Sequence, residues 1–320
     1  MDAAVLHALG QPPRFEQFSE PTSDKGEVIV HVRAAALKPI EKQLASGSHY
    51  ASPRELPVVC GTDGVGYLSD GTRVFFGGPR RPYGAMAQHT VAPRAFCFPI
   101  PEGVNDDTAA ALPNPGVSAW LSLAIRAKLV PGETVLILGA TGVTGKLAVQ
   151  IARILGAGRV IAAGRNEQVL STLHDLGADA IIRLEKSDEI LTDKFAREIG
   201  DTGLHVILDY LWGRPTEVLL AAITHSEFSV VTSETRLVQV GESAGSTISL
   251  PAAVLRSAAL TILGTAGIPP RDVLEDAFQK VMACAATGQL CIDTERVPLA
   301  DVEGAWQREV RSGCRLVIIP

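Results

Sequence analysis

The distribution of apolar positions divides the chain into three stretches. In residues 1–115, short apolar runs alternate with turn signals. Glu27-Val28-Ile29-Val30-His31-Val32 has strand character, and Asp70-Gly71 leads into Thr72-Arg73-Val74-Phe75-Phe76 as a turn and then a strand. Proline recurs through this part, which suits short strands and loops better than helices. From Val117 the period changes. Residues 118–129 read as a helix closed by Pro131-Gly132. Strands at 134–138, 159–163, 179–182, 205–209 and 236–240 then alternate with helices at 142–155, 167–176 and 215–223. Leu147, Ile151, Ala152 and Leu155 fall on one face of the first of these helices. Strands that are apolar throughout imply a parallel sheet covered on both faces, and the alternation predicts a doubly wound α/β domain. After a strand at 260–263, a helix at 271–287 ends near Gly288. Short strands and a small helix lead to Leu316-Val317-Ile318-Ile319, a tail expected to pack back onto the N-terminal β part.

Between the first strand and helix of the alternating region lies Gly139-Ala140-Thr141-Gly142-Val143-Thr144-Gly145. An apolar strand, a glycine turn and a helix start are how a Rossmann unit holds a dinucleotide pyrophosphate. Glycines permit the tight turn and a close backbone approach, and the helix N-terminus offers N–H groups and partial positive charge. Gly139, Thr141, Gly142, Val143, Thr144 and Gly145 are therefore candidate cofactor-binding positions. The second strand ends at Gly164-Arg165-Asn166. Asp or Glu there would suit the ribose hydroxyls of NAD, whereas the cation Arg165 favours the 2′-phosphate of NADP(H). Asn166 and Arg183, the latter just after the third strand, are further candidate contacts, with solvated surface charges as the alternative for both arginines, and Gly241 after strand 236–240 is expected close to the nicotinamide. A P-loop reading fails because Lys146 is followed by Leu147, where Ser or Thr would hold Mg²⁺. Gly241-Glu242-Ser243-Ala244-Gly245 matches a nucleophile elbow. That fold needs its general-base histidine after the serine, and the last histidine here is His225.

Composition narrows the class without deciding it. Of 320 residues, 46% are hydrophobic and 20% charged, a globular profile large enough for two domains. A net charge of −6 with no extended basic cluster argues against nucleic acid as the main partner. No uninterrupted apolar run has spanning length, and Asp2 stands where a signal peptide would be basic, so no membrane association and cytoplasmic residence are expected. The five cysteines are scattered, with no C-x-x-C pair, so neither a disulfide framework nor a zinc knot is expected.

The chain resembles the medium-chain dehydrogenase/reductase superfamily, specifically its zinc-independent quinone oxidoreductase (zeta-crystallin-like) branch. The markers are Met1-Asp2-Ala3-Ala4-Val5, Ala35-Ala36-Leu37-Lys38-Pro39-Ile40-Glu41, and Leu56-Pro57-Val58-Val59-Cys60-Gly61-Thr62-Asp63-Gly64-Val65-Gly66. Ala109-Ala110-Ala111-Leu112-Pro113, the glycine turn and His174-Asp175-Leu176-Gly177-Ala178-Asp179 follow in order. The resemblance implies a GroES-like β domain from residues 1–115 and 266–320, a Rossmann domain from 116–265, and an active site in the cleft between them. Where zinc-dependent members carry Cys, His and Cys, this sequence has Lys38, Thr62 and Pro115, so no metal is expected.

Without a metal to polarise an alkoxide, hydride transfer from NADPH to a quinone or α,β-unsaturated carbonyl is the chemistry that remains. Tyr50, where the family often has an aromatic residue, is a candidate substrate-facing donor, with a loop-edge tyrosine as the alternative. Lys38, where the family usually has Asn, could protonate a developing quinol or enolate oxygen, or could be a salt-bridged structural lysine. Tyr83, Trp212 and His49 are weaker candidates. The family's Lys after the second strand and Tyr after the third correspond to the neighbourhood of Gln168 and to Leu184, so Arg165 and Arg183 would have to substitute. Two other functions fit the same residues: a non-catalytic NADPH-binding sensor or scaffold, and an enoyl reductase acting on carrier-bound acyl chains. The apolar strand at 260–263 is expected to pair across a two-fold axis in a homodimer.

Overall fold

The computed structural model describes residues 1–200, 203–224, 234–265, 267 and 269–320. The chain forms two compact units, one from Met1–Asn114 with Phe278–Pro320 and one from Pro115–Ala277. The first contains the strands β1 (Asp2–Leu6), β2 (Arg14–Gln17), β3 (Glu27–Leu37), β4 (Val58–Val59), β5 (Asp63–Tyr67), β6 (Arg73–Gly77), β7 (His89–Pro93) and β8 (Cys97–Pro99). The second contains β9 (Thr134–Leu138), β10 (Arg159–Gly164), β11 (Ala180–Arg183), β12 (Val206–Asp209), β13 (Thr235–Gln239) and β14 (Leu260–Gly264). The chain then returns to the first unit with β15 (Asp293–Pro298) and β16 (Cys314–Ile319).

In the first unit a seven-stranded sheet runs β15-β16-β3-β5-β6-β8, with β7 also paired to β3, and a three-stranded sheet runs β2-β1-β4. The tail joins antiparallel to the long strand, with Leu316 opposite Leu37 and Ile318 opposite Ala35. One hydrophobic core thus draws on both chain ends: Leu6, Val30, Phe76, Met86, Leu316 and Ile318 are all buried in it.

The second unit holds one six-stranded sheet in the order β11-β10-β9-β12-β13-β14. All its pairings are parallel. Its central strand is buried at every position, because helices cover both faces. Leu147, Ile151 and Ala152 of the helix Val143–Ile154 are fully buried, whereas Leu155 beyond its end is only partly so.

Three elements depart from the pattern read in the sequence. The helix expected at 118–129 begins at Pro113, whose missing N–H is harmless in a first turn, and continues as a π-type turn over Leu121–Arg126. A helix absent from the expected alternation occupies Asp188–Ile199 and buries Leu191, Phe195 and Ile199. Topology requires such a crossover, since β11 at one edge must be followed by β12 on the far side of β9. The break between the units falls after Ala277, within the helix Arg271–Ala286, rather than at 265. Its physical cause is Phe278, whose ring lies 5.5 Å from that of Phe75 and 5.1 Å from that of Phe98. Phe278→Ala should lower the stability of this unit by about 3–5 kcal/mol, the cost of emptying a buried aromatic site. A reduced urea midpoint of the transition is the measurement, and an unchanged midpoint would refute the ring cluster's role.

Candidate active site

The strand order of the second unit reverses between β9 and β12, so the chain leaves their carboxyl ends in opposite directions and opens a crevice there. The register brings the carboxyl ends level: Leu138 lies beside Asp209, Asp209 beside Gln239, and Gly164 beside Arg183. Gly139 leaves β9 with φ of 87°, a left-handed conformation that favours glycine. A Cβ on Gly145 would stand 2.2 Å from the Gly139 carbonyl oxygen, so only glycine lets the helix sit on the turn. That helix starts at Gly142 without a side-chain cap, leaving its leading amides for an anion. Thr141 is buried and Val143 and Thr144 are half-buried around the same turn. A Cβ on Gly164 would lie 2.5 Å from Thr141 Cγ2, which shows how closely the end of β10 approaches the turn.

The residues after β10 divide by what holds them. Arg165 is exposed, and its guanidinium has neither ion pair nor hydrogen bond among the described residues. The Asn166 Oδ1 accepts the Val169 N–H at 3.1 Å and caps the helix Glu167–Thr172. Arg183 is tied to Glu167, with 3.0 Å between Nη1 and Oε2. Leu184 packs against the core of this unit instead of lining a polar contact.

The end of β12 carries a device that the sequence reading missed. Asp209 is fully buried; its Oδ1 accepts the N–H groups of Leu211 and Trp212, both at 2.8 Å, and its Oδ2 accepts the Thr216 hydroxyl at 2.5 Å. Burial pushes this carboxyl above the usual range, against the pull of those donors. An acid closing the apolar run Val206-Ile207-Leu208 was the available signal. Trp212, held by this turn, adopts φ of 53° and packs partly into the core. Gly241 donates its N–H to the Asp209 carbonyl at 3.1 Å, and a Cβ there would meet the Tyr210 oxygen at 2.8 Å. Ser243 Oγ donates to the Tyr210 carbonyl at 3.0 Å, a loop-fixing bond and not a nucleophile's arrangement. His225 lies outside the described residues.

In the first unit, Lys38 is 2% exposed at the entrance to the helix Pro39–Ser46. Its Nζ lies 3.0 Å from Thr62 Oγ1, 3.0 Å from Glu41 Oε1 and 2.5 Å from Asp63 Oδ1. The buried ammonium thus donates to Thr62 and is paired in charge with two carboxylates, which is the salt-bridged alternative. Thr62 donates its hydroxyl to Glu41 Oε1 at 2.7 Å, and Arg315 closes the buried group with a bond to the Leu37 carbonyl at 3.2 Å. Burial disfavours the Lys38 charge, but Asp63 and Glu41 outweigh it and hold the ammonium above the ordinary lysine range. Asp63 is raised by its burial, against the opposing pull of Lys38. Tyr50 is the opposite case: it is 97% exposed, with its ring 4.2 Å from that of His49, and His49 Nδ1 accepts the Ala51 N–H at 3.1 Å. Tyr83 donates its hydroxyl to the Glu20 carbonyl at 3.2 Å. Two adjoining cavities lie here. One of about 170 Å³ is lined by Glu41, Cys60, Thr62, Arg81 and Tyr83, among others, and one of about 640 Å³ by Tyr50, Ser52, Arg54, Glu55 and Arg81, among others.

This arrangement has close counterparts. Residues 143–286 match the family described as zinc-binding dehydrogenase. A quinone oxidoreductase-like protein 2 homolog of Nematostella vectensis is 28% identical over 79% of this chain and 68% of its own length. The fold superimposes on the quinone oxidoreductase of Thermus thermophilus, solved also as its complex with NADPH, at a TM-score of 0.82 and 27% identity over all of both chains. It also superimposes on the quinone oxidoreductase of Escherichia coli complexed with NADPH, at a TM-score of 0.85 and 21% identity over all of both chains.

These similarities support the medium-chain dehydrogenase/reductase superfamily, and within it the quinone oxidoreductase branch. Its fold is a doubly wound Rossmann unit with a GroES-like β unit built from both chain ends.

The zinc of that superfamily does not fit this chain. Two of the three corresponding positions, Lys38 and Thr62, bond to each other, and the lysine puts a positive charge where a divalent cation would need a ligand. Among the described residues no group of three or more His, Cys, Asp and Glu side chains is placed to hold a metal ion. Removing the ammonium leaves two buried carboxylates short of a partner, so Lys38→Met should cost about 3–5 kcal/mol of stability. Lys38 is raised in the folded state, so its contribution is complete below about pH 10.4 and falls as pH rises further. The variant should regain stability on acidification, as the raised Asp63 takes up a proton. Melting temperatures of both proteins between pH 5 and about 11 test the pattern; equal stability at neutral pH would refute it.

Proposed function

We propose that this protein is an NADPH-dependent reductase that delivers hydride to a quinone or an α,β-unsaturated carbonyl without a catalytic metal. The observation that carries the reading is Arg165: an exposed, unpaired guanidinium directly after β10, beside a glycine turn fitted to a pyrophosphate. That position suits a 2′-phosphate and forms no ion pair among the described residues, unlike Arg183, whose charge is already met by Glu167. The names of the relatives, quinone oxidoreductases with NADPH complexes among them, support the same choice of cofactor and acceptor.

When bound, NADPH supplies the hydride. The helix start at Val143–Gly145 would hold the pyrophosphate on its leading amides, and Arg165 would bind the 2′-phosphate. Asp209 fixes the turn at Leu211 and Trp212, and Gly241 allows the neighbouring loop to approach it. The reduced acceptor needs a proton at its oxygen. Lys38 is buried and charge-paired, whereas Tyr50, at the edge of the larger cavity, is the donor in reach of solvent. Quinones demand little acid assistance, since they are already electron-poor, and an exposed phenol backed by water is sufficient.

The same proposal includes a homodimer paired along β14, the edge of the six-stranded sheet, where Ile262 and Leu263 remain only partly buried. It places the protein in the cytoplasm, and five free cysteines suit a reducing compartment. Among the described residues, no helix is long and apolar enough to cross a membrane.

Loss of nicotinamide absorbance against a panel of quinones and enones tests the reading, with NADH as the control. Wild type should prefer NADPH, and Arg165→Gln should raise the KM for NADPH about tenfold to a hundredfold while leaving that for NADH nearly unchanged. A folded protein that binds NADPH but turns over no acceptor would favour the sensor reading. Turnover confined to carrier-bound acyl chains would favour the enoyl reductase.

A further inference from the structure

The larger cavity of the β unit carries charges that the proposed hydride transfer does not use. Its titratable lining consists of Tyr50, Arg54, Glu55 and Arg81. Arg54 is exposed and has no ion pair or hydrogen bond among the described residues. Arg81 donates one bond, from Nη2 to the Ala51 carbonyl at 2.5 Å, and pairs with no carboxylate among the described residues. Glu55 is bonded to neither arginine. Ser52 Oγ, in the same lining, is buried without a hydrogen-bond partner. Other arginines of this unit are neutralised: Arg73 by Asp106, Arg80 by Glu27 and Arg296 by Asp107.

Arg81 also lines the smaller cavity, whose carboxylate, Glu41, is already matched by Lys38. The two cavities therefore meet at a guanidinium with most of its donors free. One cavity reaches Thr62, at a position of the superfamily's metal ligands, and the other reaches Tyr50. In a chain with a net charge of −6, two arginines against the single carboxylate of Glu55 give this cavity a net positive lining, a local reversal of sign. A planar fork of donors beside a half-apolar wall of Leu56, Pro57, Val58 and Pro82 is suited to a carboxylate or sulfonate attached to a flat hydrophobic body.

We propose that the acceptor of this enzyme carries an anionic substituent, a carboxylate or its equivalent, which Arg81 and Arg54 bind while Ser52 supplies a further donor. The inference deepens the reductase reading and rests on it for the identity of the aromatic or enone body. The anion adds affinity that is the same before and during hydride transfer, so it acts on KM and not on kcat.

The test uses a naphthoquinone bearing a carboxylate on a short alkyl tether and its methyl ester, a pair in which the tether insulates the ring from the charge. Calorimetric titration of the protein with each probe, without NADPH, reads binding independently of turnover. The carboxylate should bind about five- to tenfold more tightly than the ester at low salt, with the difference shrinking as ionic strength rises. Arg54→Gln/Arg81→Gln should abolish the difference, and its circular dichroism and melting temperature verify that it is folded. Equal affinity for the two probes, binding of neither, or a preference that survives in the double variant would each overturn the proposal. NADPH oxidation with neutral quinones is assayed in parallel. Turnover there with no preference for the carboxylate would remove the anion site and leave the reductase standing, whereas no turnover with any acceptor would remove the reductase reading itself.

Discussion

The helix that begins at Val143 rests on the turn at Gly139 only because Gly145 has no side chain. A single methyl group at that position would overlap the Gly139 carbonyl. Everything at the carboxyl edge of the six-stranded sheet depends on that contact. It sets the direction of an uncapped helix start, and so determines where a concentration of free amides points. Gly164 extends the constraint to the next strand, since its approach to Thr141 brings Arg165 to the rim of the same crevice. Asp209 completes it on the other side of the topological switch by tying three donors of its own loop. The candidate cofactor site is thus a backbone construction in which the glycines that permit close approach do most of the shaping.

The β unit works by a different principle. Its centre is a buried set of charges, Lys38 with Glu41 and Asp63, closed by Thr62 and Arg315. Taking such charges out of water is costly, and only mutual pairing makes the arrangement tolerable. An ammonium surrounded by three oxygens is chemically quiet. The position of the superfamily's metal has therefore become a structural tie, and the open space of this unit lies in the cavities at Arg81 and Tyr50. A protein so arranged is suited to acceptors that need orientation more than acid or Lewis-acid activation.

The order of residues was enough to establish the doubly wound architecture, because apolar runs and helical periods are local consequences of burial and can be counted along the chain. It located the glycine turn and singled out Arg165, since both are short motifs whose meaning depends on the strand before and the helix after. Even the return of the tail to the N-terminal strands was legible in its last apolar run. The helix Asp188–Ile199 was not, as its charged face hides the three buried positions, and only the crossover from β11 to β12 demands it. Which charges are free emerges only from the packed fold. Arg165 and Arg183 look alike along the chain, yet Glu167 meets Arg183 and no described residue pairs with Arg165. Lys38 was equally a proton donor or a structural lysine until Thr62 and Asp63, more than twenty residues away, were seen to enclose it. Secondary structure is set by neighbours in sequence, whereas the availability of a charge is set by neighbours in space, and for these residues the deciding partners Glu167, Thr62 and Asp63 lie sixteen or more residues away.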